Sequence, residues 1–241
     1  MKLKVLERLL NIFFPMLCGI CGREDFFSLR LGLCGECIRK TRSIRPLSRC
    51  DVCSSPLKEG SCCSFCDSRN VFFDRALSIR HRNDMLSEVL NRLKSRKDFP
   101  LSIFLASGSR KILRKLRSLE FDACVILPSH KKISWSSGKE RPFLASSRLC
   151  KEAEDILEIP FIQPLLKSSP EKQAGKSFSE RFFHAYRSWA IHPAWKDRCP
   201  ERILLLDDVF TTGASVNEAS RILKQNGARS VYVLTYLRTV D

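Results

Sequence analysis

The stretch Arg202–Ser215, RILLLDDVFTTGAS, limits what this chain can fold into more than any other. Ile203–Leu206 is a continuous apolar run, the pattern of a strand buried on both faces of a sheet. Asp207 and Asp208 follow at its carboxyl end, where ligands bind in open α/β sheets. Thr211, Thr212, Gly213, Ala214 and Ser215 then make a short loop of small and hydroxyl residues that enters a helix over Ser215–Gln225. A helix start offers backbone N–H groups and the positive end of a dipole, both suited to a phosphate. Gly213 lets the backbone approach that phosphate closely. The two carboxylates can accept hydrogen bonds from vicinal ribose hydroxyls and help to hold Mg²⁺. Taken singly, Asp-Asp reads as a helix cap and Thr-Thr-Gly as a turn. The fixed order of apolar run, paired acids and small hydroxyl loop favours a ribose-phosphate grip instead.

The rest of the chain from residue 71 alternates in the same way. A strand is expected over 71–80, a helix capped by Asp84 over 84–94 and a second helix over 101–117. A buried strand follows at 121–128, a helix over roughly 143–155 and a strand around 160–166. Ser177 and Glu180 form a capping box for a further helix. A final strand is expected at Arg229–Leu237, after a helix stop at Asn226-Gly227. This alternation predicts an α/β domain with a parallel sheet over residues 71–241.

Residues 1–70 read as a different module: a helix over 1–14, with Val5, Leu6, Leu9, Leu10 and Phe13 at helical spacing, followed by a double zinc-knuckle stretch. Eight cysteines form four CxxC pairs: Cys18/Cys21, Cys34/Cys37, Cys50/Cys53 and Cys63/Cys66. A CxxC pair bends so that both thiolates face one ion, and two pairs complete a tetrahedral Zn²⁺ site. Four pairs suit about two zincs. Sequential pairing is expected, first with second and third with fourth, although spacing alone leaves an interleaved pattern open. Cys62 nearly duplicates Cys63 and could replace it. Iron–sulfur ligation and redox dithiols fit such regular pairs less well. Cys124, Cys150 and Cys199 stand alone and read as buried thiols.

An export signal would turn the same cysteines into a disulfide framework, but residues 1–14 carry Glu7 and Arg8 where a signal needs an unbroken apolar run. No stretch approaches the ~18 consecutive apolar residues of a membrane span. A cytoplasmic protein is expected. Lys and Arg total 42 against 26 Asp and Glu, a formal charge of +16, which favours anionic partners such as nucleic acid or phosphorylated small molecules. The helix face Arg110, Lys111, Arg114, Lys115, Arg117 could follow a phosphate backbone, and Trp135 in the basic loop after Pro128 could stack on a base; a solvated face is the commoner fate of each.

Ile203–Ser215 resembles the phosphoribosyl-pyrophosphate motif of the type I phosphoribosyltransferases. The four-pair cysteine module, the strand at 71–80, ILPSHKK and KQAGKSFSERFFHA occur in the order of the ComF family, which this chain resembles over most of its length. The resemblance implies a Rossmann-like transferase domain of the type I phosphoribosyltransferase fold preceded by a zinc finger. It implies binding of phosphoribosyl pyrophosphate or a nucleotide with Mg²⁺, together with a role in DNA uptake on single-stranded DNA beside a helicase. By position, Asp207 and Asp208 would serve the ribose hydroxyls, the metal and catalysis, and Thr211–Ser215 the 5′-phosphate. Lys131, Lys132 and Arg141 would meet the pyrophosphate. The family's Arg-Gly-Phe-Asn-Gln run is Arg141-Pro142-Phe143-Leu144-Ala145 here, so the Gly, Asn and Gln are gone. That departure predicts that ligand binding is better preserved than phosphoribosyl transfer, the alternative being an active transferase of nucleotide metabolism with no DNA role.

Overall fold

The computed structural model describes residues 17–25, 31–42, 48–57, 60–67, 70–96, 99–128, 145–168 and 188–239. The expected N-terminal helix, the Ser177 capping box and the loop carrying Trp135 lie outside them. The chain forms two compact units, one of residues 1–43 and 83–107 and one of residues 44–82 and 108–241.

The smaller unit carries helices α1 (Gly35–Lys40), α3 (Asp84–Arg96) and α4 (Phe99–Ala106). The buried leucines of α3 are Leu86, Leu90 and Leu93, spaced at helical intervals with Val89 beside them. Arg92 on this helix donates to the Gly19 carbonyl at 2.6 Å, and Asn83 caps the helix by accepting from the Leu86 N–H.

The larger unit holds the hairpin β1 (Ser48–Arg49) and β2 (Pro56–Leu57), the short α2 (Ser64–Asp67) and a five-stranded sheet. The sheet strands are β3 (Arg75–His81), β4 (Ala123–Ile126), β5 (Phe161–Ile162), β8 (Arg202–Phe210) and β9 (Ser230–Arg238). Their order is β3-β9-β8-β4-β5, and every pairing is parallel. Helix α5 (Ser109–Leu116) precedes β4, α6 (Ser147–Leu157) joins β4 to β5, and α7 (Ala214–Gln225) joins β8 to β9. A small hairpin, β6 (Leu165–Lys167) with β7 (Trp189–Ile191), stands apart from the sheet order.

Ile203, Leu204, Leu205 and Leu206 are all fully buried, as expected of a strand covered on both faces. Ile203, Leu205, Val231 and Val233 pack in one core with Val216, Ala219, Ile222 and Leu223 of α7. Successive strand residues face opposite ways, so Tyr236 points to the other side. There its hydroxyl donates to the Ala145 carbonyl at 3.0 Å and accepts from the Leu149 N–H at 3.2 Å, at the start of α6. The crossovers α6 and α7 therefore cover opposite faces. The chain leaves β4 toward one edge and β8 toward the other, which makes the gap between these two strands a topological switch point.

Four expectations change. Asn83, not the expected Asp84, caps α3, because Asp84 is already its first helical residue. The single helix over 101–117 is two, broken at Ser107-Gly108 because Gly108 takes φ +99°, outside the right-handed helix. The strand around 160–166 is split by Gln163-Pro164 into β5 and β6, which pair with different partners. Strand β8 does not stop at Leu206 but runs through both aspartates to Phe210, held by pairing to β9.

Candidate functional site

Asp207 and Asp208 lie in the carboxyl-terminal half of β8, directly after Leu206, the last residue that pairs with β4, and Asp207 is in register with Thr235 of β9. Both are half-buried, and Asp207 Oδ1 accepts the backbone N–H of Asp208 at 2.8 Å. Leu127, just past β4, donates its N–H to the Leu206 carbonyl at 2.9 Å, so the two strand ends are tied together where the crevice opens.

Thr211–Ser215 forms the turn from β8 into α7. Gly213 is the N-cap residue of α7 with φ +77°, in the left-handed region, and Thr212 Oγ1 accepts the Ala214 N–H at 3.3 Å. A Cβ on Gly213 would stand 2.6 Å from Cζ of Phe210, so only glycine fits over that ring. Residues 212–214 are buried while Thr211 and Ser215 are half-buried. The loop thus has a closed floor and presents its hydroxyl-bearing flanks. The structure brings Asp207, Asp208 and residues 211–215 together at one strand end; Lys131, Lys132 and Arg141 lie outside the described residues.

Sequence reasoning missed Lys167 and Trp189. They are cross-strand partners in the β6–β7 hairpin, with the Lys167 ammonium 3.8 Å from the Trp189 ring centroid. The indole Nε1 donates to the Pro128 carbonyl at 3.1 Å, which pins the hairpin to the end of β4. Burial holds the Lys167 ammonium below the usual lysine range, and the opposing pull is the charge of Asp207. Lys167 is therefore a half-buried cation whose charge is felt by Asp207. The signal available in the sequence was a lysine ending the apolar run IPFIQPLL.

The basic helix face is partly consumed by ion pairs. Arg110 binds the buried Glu152 at 2.6 Å and Arg117 binds Glu158 at 2.8 Å, while Lys111, Arg114 and Lys115 are exposed. Cys124, Cys150 and Cys199 are buried, and burial pushes the Cys199 thiol up to about 11.

The eight paired cysteines form two four-sulfur groups, Cys18/Cys21/Cys34/Cys37 and Cys50/Cys53/Cys63/Cys66, each with its sulfurs within 4.8 Å of one another. The pairing is sequential. Cys21 and Cys34 sulfurs are 3.6 Å apart and Cys53 and Cys63 sulfurs 3.5 Å. Tetrahedral ligands at a Zn–S distance of about 2.3 Å sit about 3.8 Å apart, so both groups fit zinc. The first group also shows knuckle hydrogen bonding, with the Cys37 N–H donating to the Cys34 sulfur. Cys62 lies exposed outside the second group. Arg238, the last residue of β9, donates to the Cys53 sulfur at 3.6 Å and to the Ser55 hydroxyl. Burial lowers the pKa of this guanidinium, and the four sulfurs of the group, Cys53 foremost, oppose that shift.

Residues 9–67 match a family model described as a double zinc ribbon domain. Competence protein F of Haemophilus influenzae is 25% identical over 230 residues, covering 92% of this chain and 96% of its own. Competence protein ComFC of Bacillus subtilis is 28% identical over 216 residues, covering 86% of this chain and 84% of its own. DNA utilization protein YhgH of Escherichia coli is 25% identical over 239 residues, covering 94% and 98%. A solved purine phosphoribosyltransferase from Pyrococcus horikoshii overlaps at TM-score 0.32 and 12% identity, over 56% of this chain and 83% of that one. Among the described residues no helix is long and apolar enough to cross a membrane. With two four-cysteine zinc-ribbon sites and a five-stranded parallel sheet, the chain bears out its resemblance to the ComF family: it is a homologue, over most of its length, of competence protein F, ComFC and YhgH.

Proposed function

We propose that this chain binds phosphoribosyl pyrophosphate, or a related ribose 5-phosphate ligand, with Mg²⁺ at the β8–α7 junction, and does so in cytoplasmic handling of incoming single-stranded DNA. The observation that carries this is the placement of Asp207, Asp208 and the Gly213-centred loop together at the switch point of a parallel sheet. The loop Thr211–Ser215 takes the 5′-phosphate at the start of α7. Asp207 and Asp208 accept from the ribose hydroxyls and share the metal. Lys131, Lys132 and Arg141 meet the pyrophosphate, and the fold is that of the type I phosphoribosyltransferases. Zinc fills both cysteine sites. The names of the relatives, competence and DNA utilization proteins, support the DNA role. A helicase as protein partner follows from the resemblance to the ComF family alone. The charge of +16 supports contact with a nucleic-acid backbone.

Isothermal titration with phosphoribosyl pyrophosphate and Mg²⁺ tests the reading on wild type and Asp208→Ala. Binding heat is expected from wild type and its loss from the variant. A wild type that gives no heat sinks the proposal. Consumption of the ligand with release of pyrophosphate would extend it to an active transferase.

A further inference from the structure

The second cysteine group is built into the sheet-bearing unit. Cys50 and Cys53 belong to its main core, and Ser54 donates its hydroxyl to the Ala76 carbonyl of β3 at 2.7 Å. Four thiolates around one Zn²⁺ carry a net charge of −2, which a buried site must offset. Arg238 stands where that offset is needed. It is 7% exposed; its Nη2 reaches both Cys53 and Ser55, while Nε and Nη1 are buried without a hydrogen-bond partner among the described residues. A buried guanidinium without a counter-charge costs several kcal/mol. The tetrathiolate supplies that counter-charge.

The same guanidinium lies 4.1 Å from the ring centroid of Phe210. Phe210 is fully buried, meets Phe73 edge-on at 5.8 Å and accepts the Thr239 N–H on its carbonyl. Its ring is the floor beneath Gly213, and Thr211 follows it directly in the chain. A continuous contact path therefore runs from the sulfurs through the guanidinium and the ring to the loop. The Cys18/Cys21/Cys34/Cys37 group lies in the other unit.

We propose that Arg238 is a positioning residue for two sites at once: it neutralises the Cys50/Cys53/Cys63/Cys66 metal site and, through Phe210, holds the loop Thr211–Ser215, so that metal loading and loop order are coupled. The consequence for phosphate binding rests on the function proposed above.

The test uses the full chain loaded with zinc. Zinc release to a chromogenic chelator is followed for wild type, Arg238→Met and Arg238→Lys. Loss of an outer partner of a metal site typically costs 10–100-fold in affinity. Arg238→Met is expected to release one of two zinc equivalents about tenfold faster or more and leave the other unchanged. Arg238→Lys, which keeps the charge, is expected to restore most of the retention. Wild-type release from Arg238→Met overturns the metal half. The loop half is read in wild type by amide hydrogen exchange before and after zinc removal, which stays informative if the methionine variant fails to fold. Residues 211–215 are expected to exchange faster while β4 stays protected. Unchanged exchange at the loop, or an equal rise in β4, overturns the coupling. Neither readout uses the ribose ligand, so a wild type that fails to bind phosphoribosyl pyrophosphate removes the function and leaves both arms standing.

Discussion

Phe210 leaves no room for a side chain at Gly213: a Cβ there would stand 2.6 Å from Cζ of the ring and 3.0 Å from Cε1. The glycine also holds φ +77°, which costs other residues about 1–2 kcal/mol. Both penalties fall on Gly213→Ala, so urea unfolding should show a loss of ~2 kcal/mol or more. The ribose-phosphate binding proposed above should weaken beyond detection because the loop must lift off the ring. A variant with wild-type stability and binding would mean that the loop is not seated on Phe210.

Trp189 makes a separate point about the β6–β7 hairpin. Trp189→Phe keeps most of the ring but strands the buried Pro128 carbonyl that accepts the indole N–H at 3.1 Å. An unsatisfied buried acceptor costs ~1–3 kcal/mol, so a drop of about that size is expected in chemical denaturation. Lys167 should become more accessible to acylating reagents in the same variant, because its stacking partner is smaller. Unaltered stability together with unaltered lysine labelling would count against the pinned hairpin.

Part of the acid limb of stability should trace to Glu152. Burial pushes its carboxyl up, but the hydrogen bonds and charges of Arg110 and Arg148 outweigh burial and hold it below its usual 4.5. A carboxylate depressed in the fold contributes stability that is present above the unfolded value and is lost as pH falls through the lower folded value. Glu152→Gln should therefore be less stable than wild type at pH 7, and the gap should close as pH drops below about 4.5. Urea midpoints measured from pH 7 to 3 decide this. A gap that stays constant across the range assigns the effect to packing rather than charge.

The two metal sites should differ in what their loss does. Cys21→Ser and Cys53→Ser should each remove one zinc equivalent by metal analysis. Cys53 lies in the core shared with Ile203, Leu205 and α7, so its variant should also lower the melting temperature of the sheet-bearing unit by several degrees. Cys21 is exposed and belongs to the other unit, so its variant should leave that transition in place. Equal destabilisation of the sheet by both variants would contradict the separation.

The residues that were legible in the sequence are those whose local pattern decides their place. Ile203–Leu206 announces a doubly covered strand by composition alone, and the glycine and hydroxyls after Asp208 announce a turn into a helix. The cysteine spacing carried the ligand sets but not their pairing, because each CxxC closes on its own and leaves the choice of second pair to the fold. Arg238 was not legible. A single arginine closing an apolar strand reads as a solvated end, and its burial depends on Cys53, a contact 185 residues away in sequence. Lys167 was hidden similarly: it meets Trp189 only because β6 and β7 pair across an intervening segment of more than twenty residues. The end of β8 was misplaced because polar Asp207 and Asp208 break the apolar signal, while the ladder to β9 continues through Val209 and Phe210.

The 185-residue separation between Cys53 and Arg238 also sets a timetable for synthesis. The second cysteine group emerges from the ribosome with its thiolates able to take up zinc, but without the cation that offsets their charge. At about 5–20 residues per second, Arg238 is added roughly ten to forty seconds later. During that interval the nascent ribbon is a metal site of excess negative charge with no core to sit on. Strand β9 closes the sheet and delivers the guanidinium in the same event. On the role proposed for Arg238, maturation of this metal centre should wait for completion of the sheet.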